Sequence, residues 1–165
     1  MDVVVKHGLQ PVARHDARLF ILGSLPGDAS LAARQYYAHP RNAFWRLVGS
    51  VIREDLQALE YAARLERLKA NRIGLWDVVA HAQRAGSLDQ AIREAGHNPL
   101  ADYFAGFSDL QAVAFNGGTA AAAGRKLLAA LPVTLIDLPS SSPTNTRPFA
   151  EKAAAWASLA RYCGG

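Results

Sequence analysis

The fold of this chain is decided around residues 19–45, which read LFILGSLPGDASLAARQYYAHPRNAFW. Residues 19–22 are a continuous apolar run, which is typical of a buried strand in a parallel sheet, and Gly23 ends that run. Two tyrosines, a His-Pro pair and an asparagine follow in the same connection. A loop that only joined two elements would not need so many aromatic and hydrogen-bonding side chains. Because open α/β sheets bind ligands at such strand-to-loop transitions, this stretch predicts a ligand site.

The composition is that of an ordinary globular protein. The chain has 165 residues, half of them hydrophobic, so we expect a single domain over residues 1–165. The formal net charge of +4 suits a polyanionic partner, and it suits a mildly basic enzyme equally well. Cys163 is the single cysteine, which excludes an internal disulfide. No transmembrane run or signal peptide is evident, so we expect a cytoplasmic protein that does not contact a membrane.

Apolar runs and capping signals predict the order of the secondary structure. Short apolar runs predict strands at residues 18–23, 72–79, 112–116 and 133–138. Helical spacing and capping residues predict helices at residues 43–52, 55–69, 87–96, 98–104, 120–131 and 148–162. Residues 1–17 are expected to form an irregular or short β arm. Strands that alternate with helices predict an α/β protein, with a parallel sheet covered by helices on both faces.

The loops that follow the predicted strands are expected to meet. The carboxyl ends of parallel strands lie at one edge of a sheet, so the connections that leave them start close together. These connections are residues 23–42, 77–81, 116–119 and 139–145. We therefore expect the functional site at this edge.

Polar groups in the first two loops have roles that the residues alone leave open. Asn42 stands where a helix should begin, so it fits a helix cap and it also fits a catalytic amide. His39, beside a proline and aromatic residues, fits packed structure better than a proton shuttle. Asp77 lies in an apolar strand end, where a carboxylate is either a buried anchor or part of a site. Tyr36 and Tyr37 are adjacent, so one of them should face the cleft.

The last loop, residues 139–145, is rich in small hydroxyl side chains between two prolines. It fits a polar surface turn. It also fits a rigid loop that contacts phosphate through serine hydroxyls and backbone amides. Arg147, directly after the loop, favours the second interpretation.

Two of these loops together resemble a known family. The segments GSLPG and YYAHPRNAFW after the first strand, and LPSSSPTN after the last, are similar to the two active-site motifs of the uracil-DNA glycosylase superfamily. The likeness follows strand order over nearly the whole chain. It is nearest to the hypoxanthine-DNA glycosylase branch, with the mismatch-specific uracil glycosylases next. It implies a three-layer α/β/α fold with a central four-stranded parallel sheet.

The resemblance also implies an activity and residue roles. Such enzymes remove a deaminated base from DNA by hydrolysing its N-glycosidic bond, without metal or cofactor. Asn42 and Asp77 would be catalytic, with Asn42 the main catalytic residue and Asp77 either assisting the water or accepting a ring N–H of the base. Tyr37 would stack on the flipped base. Other base contacts would come from Gly23, Ser24, Leu25, Phe44 and Asn116. Contacts with DNA, by a loop that presses on the minor groove, would come from His39, Ser140, Ser141, Ser142, Asn145 and Arg147.

Two positions depart from the superfamily. The mismatch-specific branch carries an activating Asn in its first motif, where this chain has Leu25, and the ordinary uracil glycosylases carry an Asp within that motif. The ordinary uracil glycosylases also begin the second motif with His, where Leu138 stands. Both departures argue against an efficient uracil glycosylase of the ordinary kind and agree with the hypoxanthine branch.

We therefore predict a monofunctional DNA glycosylase that releases hypoxanthine from DNA and acts as a monomer without a cofactor. No lysine falls in the predicted loops, which argues against a Schiff-base lyase step. The five histidines show neither H-E-x-x-H nor H-x-x-E-H spacing, so no metal site is expected. Two alternatives stay open, a mismatch-specific uracil-DNA glycosylase and a non-catalytic nucleic-acid-binding module on the same fold.

Overall fold

The computed structural model describes residues 5–164. The strands are β1 (Val5–His7), β2 (Leu19–Gly23), β3 (Ile73–Asp77), β4 (Val79–Gln83), β5 (Arg93–His97), β6 (Ala112–Asn116) and β7 (Thr134–Leu138). The helices are α1 (Asp28–Ala33), α2 (Phe44–Ile52), α3 (Tyr61–Ala70), α4 (Leu100–Phe104), α5 (Gly118–Leu127) and α6 (Phe149–Trp156). Short 3₁₀ segments lie at Leu56–Ala58, Asp89–Ala91 and Ala157–Tyr162.

The centre of the molecule is a parallel sheet with the strand order β3-β2-β6-β7. Strand β2 pairs in parallel with β3 on one side and with β6 on the other, and β6 pairs in parallel with β7. Every residue of β2, β3 and β6 is buried, which explains their apolar sequences. The predicted four-stranded parallel sheet is therefore confirmed, and each of its strands lies within a residue or two of the predicted bounds.

Helices cover both faces of this sheet. Leu19 and Ile21 of β2 pack in one apolar cluster with residues of α2, α3 and α6. Phe20 and Leu22, which alternate with them, pack in a second cluster with residues of α4 and α5. Burying one such side chain stabilises a fold by about 1.5–3 kcal/mol, so both faces contribute. The three-layer α/β/α arrangement is confirmed.

A second, smaller sheet was not predicted. Strands β1, β4 and β5 pair antiparallel in the order β1-β4-β5. The prediction of a helix over residues 87–96 is wrong, because residues 93–97 form strand β5 and pair with β4. The Ser87 side chain does not cap that helix and instead accepts a hydrogen bond from the backbone N–H of Asp28, at the start of α1. Tertiary pairing has overridden a local capping signal.

Other differences are smaller. Helix α1 was not predicted, and the single helix expected over residues 55–69 is a 3₁₀ turn followed by α3. The strand expected over residues 72–79 ends at Asp77, because Val79 begins β4 in the second sheet. The predicted N-terminal arm contains β1 and a bridge between Val12 and Leu75, and its residues 1–4 lie outside the described part of the chain.

Candidate active site

A cleft of about 330 Å³ opens at the carboxyl edge of the central sheet. The loops after β2 and β7 line it together with Asp77 and Asn116, the last residues of β3 and β6, as expected at this edge of a parallel sheet. Eleven of the predicted site residues line the cleft, namely Gly23, Ser24, Leu25, Tyr37, His39, Asn42, Asp77, Asn116, Ser140, Ser141 and Ser142. The cleft therefore brings together the residues proposed for catalysis, base contact and DNA contact.

The loop after β2 passes unusually close to Asp77. A Cβ atom at Gly23 would lie 2.6 Å from Oδ1 of Asp77 and 3.1 Å from the Tyr37 hydroxyl oxygen. Only glycine fits this close approach without displacing the two side chains. The backbone N–H of Val78 donates to the Gly23 carbonyl at 2.8 Å, which fixes the start of the loop against β3. Gly23 thus keeps the carboxylate and the phenol beside one another.

The Asp77 carboxyl is buried at the end of β3, where its residue is only 3% exposed. Among residues 5–164 its Oδ2 has no hydrogen-bond partner. Burial, and after it the negative charge of Asp89, raise the pKa of Asp77 to about 7 against the opposing effect of the positive charge of Arg84. An acid of this kind changes charge near neutral pH, which suits a group that handles protons in a site.

Tyr37 holds a strained position between the core and the cleft. Its backbone φ is 55°, in the left-handed region that bulky residues seldom occupy. Its ring stacks on Phe44, with ring centroids 3.8 Å apart and planes inclined by 15°. The hydroxyl has no partner in the described part of the chain, and burial raises the pKa of this phenol above its usual value. Tyr36 turns elsewhere, and its hydroxyl donates to the Gln10 carbonyl at 2.7 Å.

Asn42 makes the capping contact, and its place in the cleft leaves the catalytic interpretation as a prediction. Its side-chain Oδ1 accepts from the backbone N–H of Phe44 at 2.9 Å, which is a helix-capping contact at the start of α2. The same side chain lines the cleft. Because the carbonyl oxygen is used at the helix, the Nδ2 group is the part left for a ligand, and the amide would act as a donor. His39 lies nearby, and its Nδ1 accepts from the backbone N–H of Arg41.

The last loop is tied to the sheet through Asn116 and Ser141. Asn116 Nδ2 donates to Ser141 Oγ at 2.9 Å, and the Ser141 backbone N–H donates to Asn116 Oδ1 at 2.9 Å. The Ser141 carbonyl also accepts from the N–H of Ala43 at 3.0 Å, just before α2. Ser141 is 1% exposed, so this hydroxyl serves to join the two loops.

Side chains of helix α6 donate hydrogen bonds to the backbone of the same loop. Lys152, which is 4% exposed, donates through Nζ to the carbonyls of Ser142 and Asn145 at 3.2 and 2.8 Å. Trp156 donates through Nε1 to the Pro139 carbonyl at 2.9 Å. The loop is therefore held in one shape before any ligand arrives.

Three predicted site residues lie away from the cleft lining. Phe44 is fully buried behind Tyr37, so it reaches a ligand only through that ring. Asn145 and Arg147 lie further along the last loop, where the Arg147 N–H donates to Asn145 Oδ1 at 3.1 Å. Arg147 is exposed, which leaves its guanidinium on the outer surface.

Comparison with known proteins identifies the family. The family model described as the uracil DNA glycosylase superfamily matches residues 11–160. The chain belongs to the uracil DNA glycosylase superfamily. The match contains the whole central sheet of this superfamily member and both loops that carry the motifs. The family resemblance drawn from those motifs is confirmed.

Known proteins are similar in sequence to this superfamily member along nearly its full length. A protein of Methanosarcina barkeri named hypoxanthine DNA glycosylase is 41% identical over 152 residues, which cover 92% of this chain and 96% of the relative. One of the same name from Methanosarcina acetivorans is 38% identical over 159 residues, which cover 96% and 100%. A solution NMR structure from Methanosarcina acetivorans, provisionally described as a uracil DNA glycosylase, matches with a TM-score of 0.87 and 38% identity, covering 96% of this chain and 98% of that one. The enzyme class predicted from the sequence, a DNA glycosylase, is confirmed.

Sequence reasoning missed several groups that build the site of this superfamily member. Arg84, Asp89 and Ser87 reach the loop after β2 from the second sheet and its connection, and Lys152 reaches the last loop from α6. Ser24 Oγ, for example, donates to Asp89 Oδ1 at 2.5 Å. Ser87 and Asp89 did carry a signal, the capping pattern, but it was assigned to a helix that does not form.

Neither a metal-binding cluster nor a membrane-spanning helix occurs among the described residues of this superfamily member. Within residues 5–164, no group of three or more His, Cys, Asp or Glu side chains is arranged to hold a metal ion. The helices in that range are all too short or too polar to cross a bilayer. The predicted DNA partner agrees with membership of the uracil DNA glycosylase superfamily.

Proposed function

We propose that this protein is a monofunctional DNA glycosylase that hydrolyses the N-glycosidic bond of deoxyinosine and releases hypoxanthine. The observation that carries the proposal is the single cleft lined by Asn42, Asp77 and Tyr37. Two relatives named hypoxanthine DNA glycosylase, 38% and 41% identical to this chain, support the choice of base. Leu25 and Leu138, both 5% exposed, also support it, since they replace side chains of the uracil-removing branches.

The target nucleotide must first leave the duplex. Extruding a base costs a few kcal/mol and is least costly at a mispair, such as one made by a deaminated base. A flipped base would stack on the ring face of Tyr37 that is turned away from Phe44. Base–aromatic stacking contributes about 1–3 kcal/mol, which offsets part of the extrusion cost. The left-handed backbone at Tyr37 and the Phe44 stack hold that platform in place before the base arrives.

Bond cleavage leaves positive charge on the sugar and negative charge on the base. Asn42 Nδ2 would donate to the departing base or orient the attacking water, while its Oδ1 stays on the Phe44 N–H. A fixed donor aimed at developing charge acts most strongly where water is excluded. Asp77 would accept a ring N–H of hypoxanthine or a proton of the water. In both positions the ionised carboxylate is the active form, so activity should rise with pH through about 7.

The proposal includes no β-elimination step. A bifunctional enzyme needs a free amine that attacks the sugar. Lys152 is the lysine brought to the last loop, and its Nζ is held by the carbonyls of Ser142 and Asn145. Treatment of an enzyme–inosine DNA mixture with borohydride should therefore trap no covalent complex.

We further infer that the protein acts as a monomer in the cytoplasm. One chain supplies every residue that lines the cleft, so a partner copy is not needed to complete it. Size-exclusion chromatography with light scattering at micromolar concentration should give the mass of one 17.7 kDa chain.

The test is side-by-side excision from matched duplexes. Duplexes that contain one inosine, one uracil or only normal bases are incubated with enzyme, treated with alkali and analysed for strand breaks. Strong breakage at inosine is expected, and it should be lost in Asn42→Ala while DNA binding is kept. Uracil release with none from inosine would support the mismatch-specific uracil glycosylase instead. Binding without release of any base would support the non-catalytic module.

A further inference from the structure

Arg84 is the most unusual side chain outside the motifs. It follows β4 in the second sheet and is only 3% exposed, although arginine is seldom so buried without a partner charge. Its guanidinium donates to three backbone carbonyls, those of Leu25 at 3.2 Å, Gly86 at 3.1 Å and Pro26. Within residues 5–164 no carboxylate lies close enough to form an ion pair with it.

These bonds fix the peptide planes of the loop after β2. The peptide bonds of the described chain are trans, so a carbonyl and the N–H of the following residue point in opposite directions. Arg84 draws the Pro26 carbonyl toward the second sheet, and the Val79 N–H draws the Ser24 carbonyl the same way. The N–H groups of Gly27 and Leu25 are consequently turned away from the second sheet. Arg84 thus sets which backbone groups the loop can offer to a ligand.

The Arg84 guanidinium also contributes positive charge near three carboxylates, one of which is Asp77. The carboxylates of Asp89, Asp28 and Asp77 all act on Arg84, while burial lowers the Arg84 pKa. Asp77 in turn is affected by burial, by Asp89 and by Arg84, and it lies beside the Tyr37 phenol. Asp28 is paired with Lys6 at 2.6 Å, and Asp89 accepts from Ser24. Arg84 is thus the cation that opposes the loss of charge at Asp77.

We propose that Arg84 is a positioning residue for the reaction, which fixes the peptide planes of the loop after β2 through the Leu25 and Pro26 carbonyls and places a positive charge near Asp77. Arg84 is not among the residues that line the cleft, so it would contact neither the base nor the reacting atoms. It acts through the loop and through the ionisation of Asp77. The proposal rests on the role of Asp77 given under the proposed function.

The test compares two substitutions that change the charge around Asp77 in opposite senses. Arg84→Met removes the positive charge, so the pH at which activity rises should move up by about one unit. Asp89→Asn removes a negative charge and keeps an acceptor for Ser24, so that pH should move down. Arg84→Lys keeps the charge but loses the forked hydrogen bonds, so the rate should fall with little movement of the pH dependence. Single-turnover excision of hypoxanthine from pH 5 to 9 measures all three.

A second measurement does not depend on activity. The pH dependence of unfolding free energy, compared with Asp77→Asn in each background, reports the ionisation of Asp77 directly. The pH at which folded Asp77 ionises should move up in Arg84→Met and down in Asp89→Asn. The pKa of Asp77 could instead be unchanged in both variants, with rate losses that follow the loss of thermal stability at every pH. That result would show that Arg84 has only a structural role. If Arg84→Met does not fold, Arg84→Gln removes the same charge and keeps a hydrogen-bond donor for a loop carbonyl, and an unchanged pKa of Asp77 in that variant overturns the proposal.

The two proposals fail in different ways. If no deaminated base is released by the unaltered enzyme, the proposed function fails, while the unfolding measurements still report whether Arg84 controls Asp77. If hypoxanthine is released but the pH dependence is insensitive to the charge at Arg84 and Asp89, the positioning role of Arg84 fails alone.

Discussion

Replacing the buried Asp77 with asparagine should stabilise the protein, by an amount that depends on pH. The folded state raises the pKa of this carboxyl from 3.8 to about 7, so the folded protein holds its proton more tightly than the unfolded chain does. The stability that protonated Asp77 contributes is complete below about pH 4 and is lost as the pH rises to about 7. A difference of about three units corresponds to about 4 kcal/mol, since one unit is about 1.4 kcal/mol.

Urea denaturation of the wild-type protein and Asp77→Asn at several pH values measures this effect. Other titrating groups change both proteins alike, so the difference between them isolates Asp77. Between pH 5 and pH 8 the advantage of Asp77→Asn should grow by about 2–3 kcal/mol and then become constant. Asn98→Ala is a useful control, because the Asn98 side chain donates to the backbone carbonyl of Asp77 and not to its carboxyl group, so its effect should not vary with pH. A difference between Asp77→Asn and wild type that is the same at every pH would refute the reasoning.

Four further predictions follow from individual contacts. Asn42→Asp keeps the oxygen that accepts from the Phe44 N–H but loses the donor, so thermal stability should hold while the excision rate falls about 10²–10³-fold. Tyr37→Leu should weaken binding to inosine DNA by about 1–3 kcal/mol in fluorescence anisotropy, whereas Tyr37→Phe, which removes a hydroxyl without a partner in the described residues, should bind normally. Ser141→Ala leaves Asn116 Nδ2 without its acceptor and should cost about 1–3 kcal/mol in chemical denaturation; an unchanged midpoint would contradict the contact. Lys152→Met removes the donor to two loop carbonyls, so the last loop should lose protection in amide hydrogen exchange before the central strands do.

The central sheet and the position of the cleft could be predicted because their signals are local. Short apolar runs such as residues 19–22 and 112–115 are typical of buried strands, and the Gly23 or Asn116 that follows marks where the chain leaves the sheet. Parallel pairing then places Asp77 and Asn116 at one edge without further information. The family resemblance added the loops after β2 and β7, because each of their motifs is a short run that can be recognised in the sequence.

The second sheet could not be predicted because its strands depend on one another. Residues 93–97 are polar and mostly exposed, so they form a strand only when β4 is beside them. The charged groups that the second sheet carries were missed for the same reason. Arg84 is far along the chain from Leu25 and Pro26, and nothing in its neighbours indicates that it will be buried against them. Long-range hydrogen bonds to backbone carbonyls leave no pattern in a single sequence.

The geometry of Asn42 shows a different limit. Capping and catalysis were treated as alternatives, but Oδ1 accepts from the Phe44 N–H while Asn42 lines the cleft, so the proposed donor role of Nδ2 is compatible with the cap. Residue type and spacing describe a side chain as a unit, whereas its two polar atoms can have different partners. Those partners depend on where Asn42 lies relative to both α2 and the cleft, which a single sequence does not give.

The central claim is that a flipped hypoxanthine occupies the cleft between Tyr37, Asn42 and Asp77. The most direct measurement is a structure of the enzyme bound to a duplex with a non-hydrolysable deoxyinosine analogue. We expect the base to lie against the Tyr37 ring, with Asn42 Nδ2 at hydrogen-bond distance from the base or from a water at the sugar. A base that stays stacked in the duplex, or that binds away from these three residues, would contradict it.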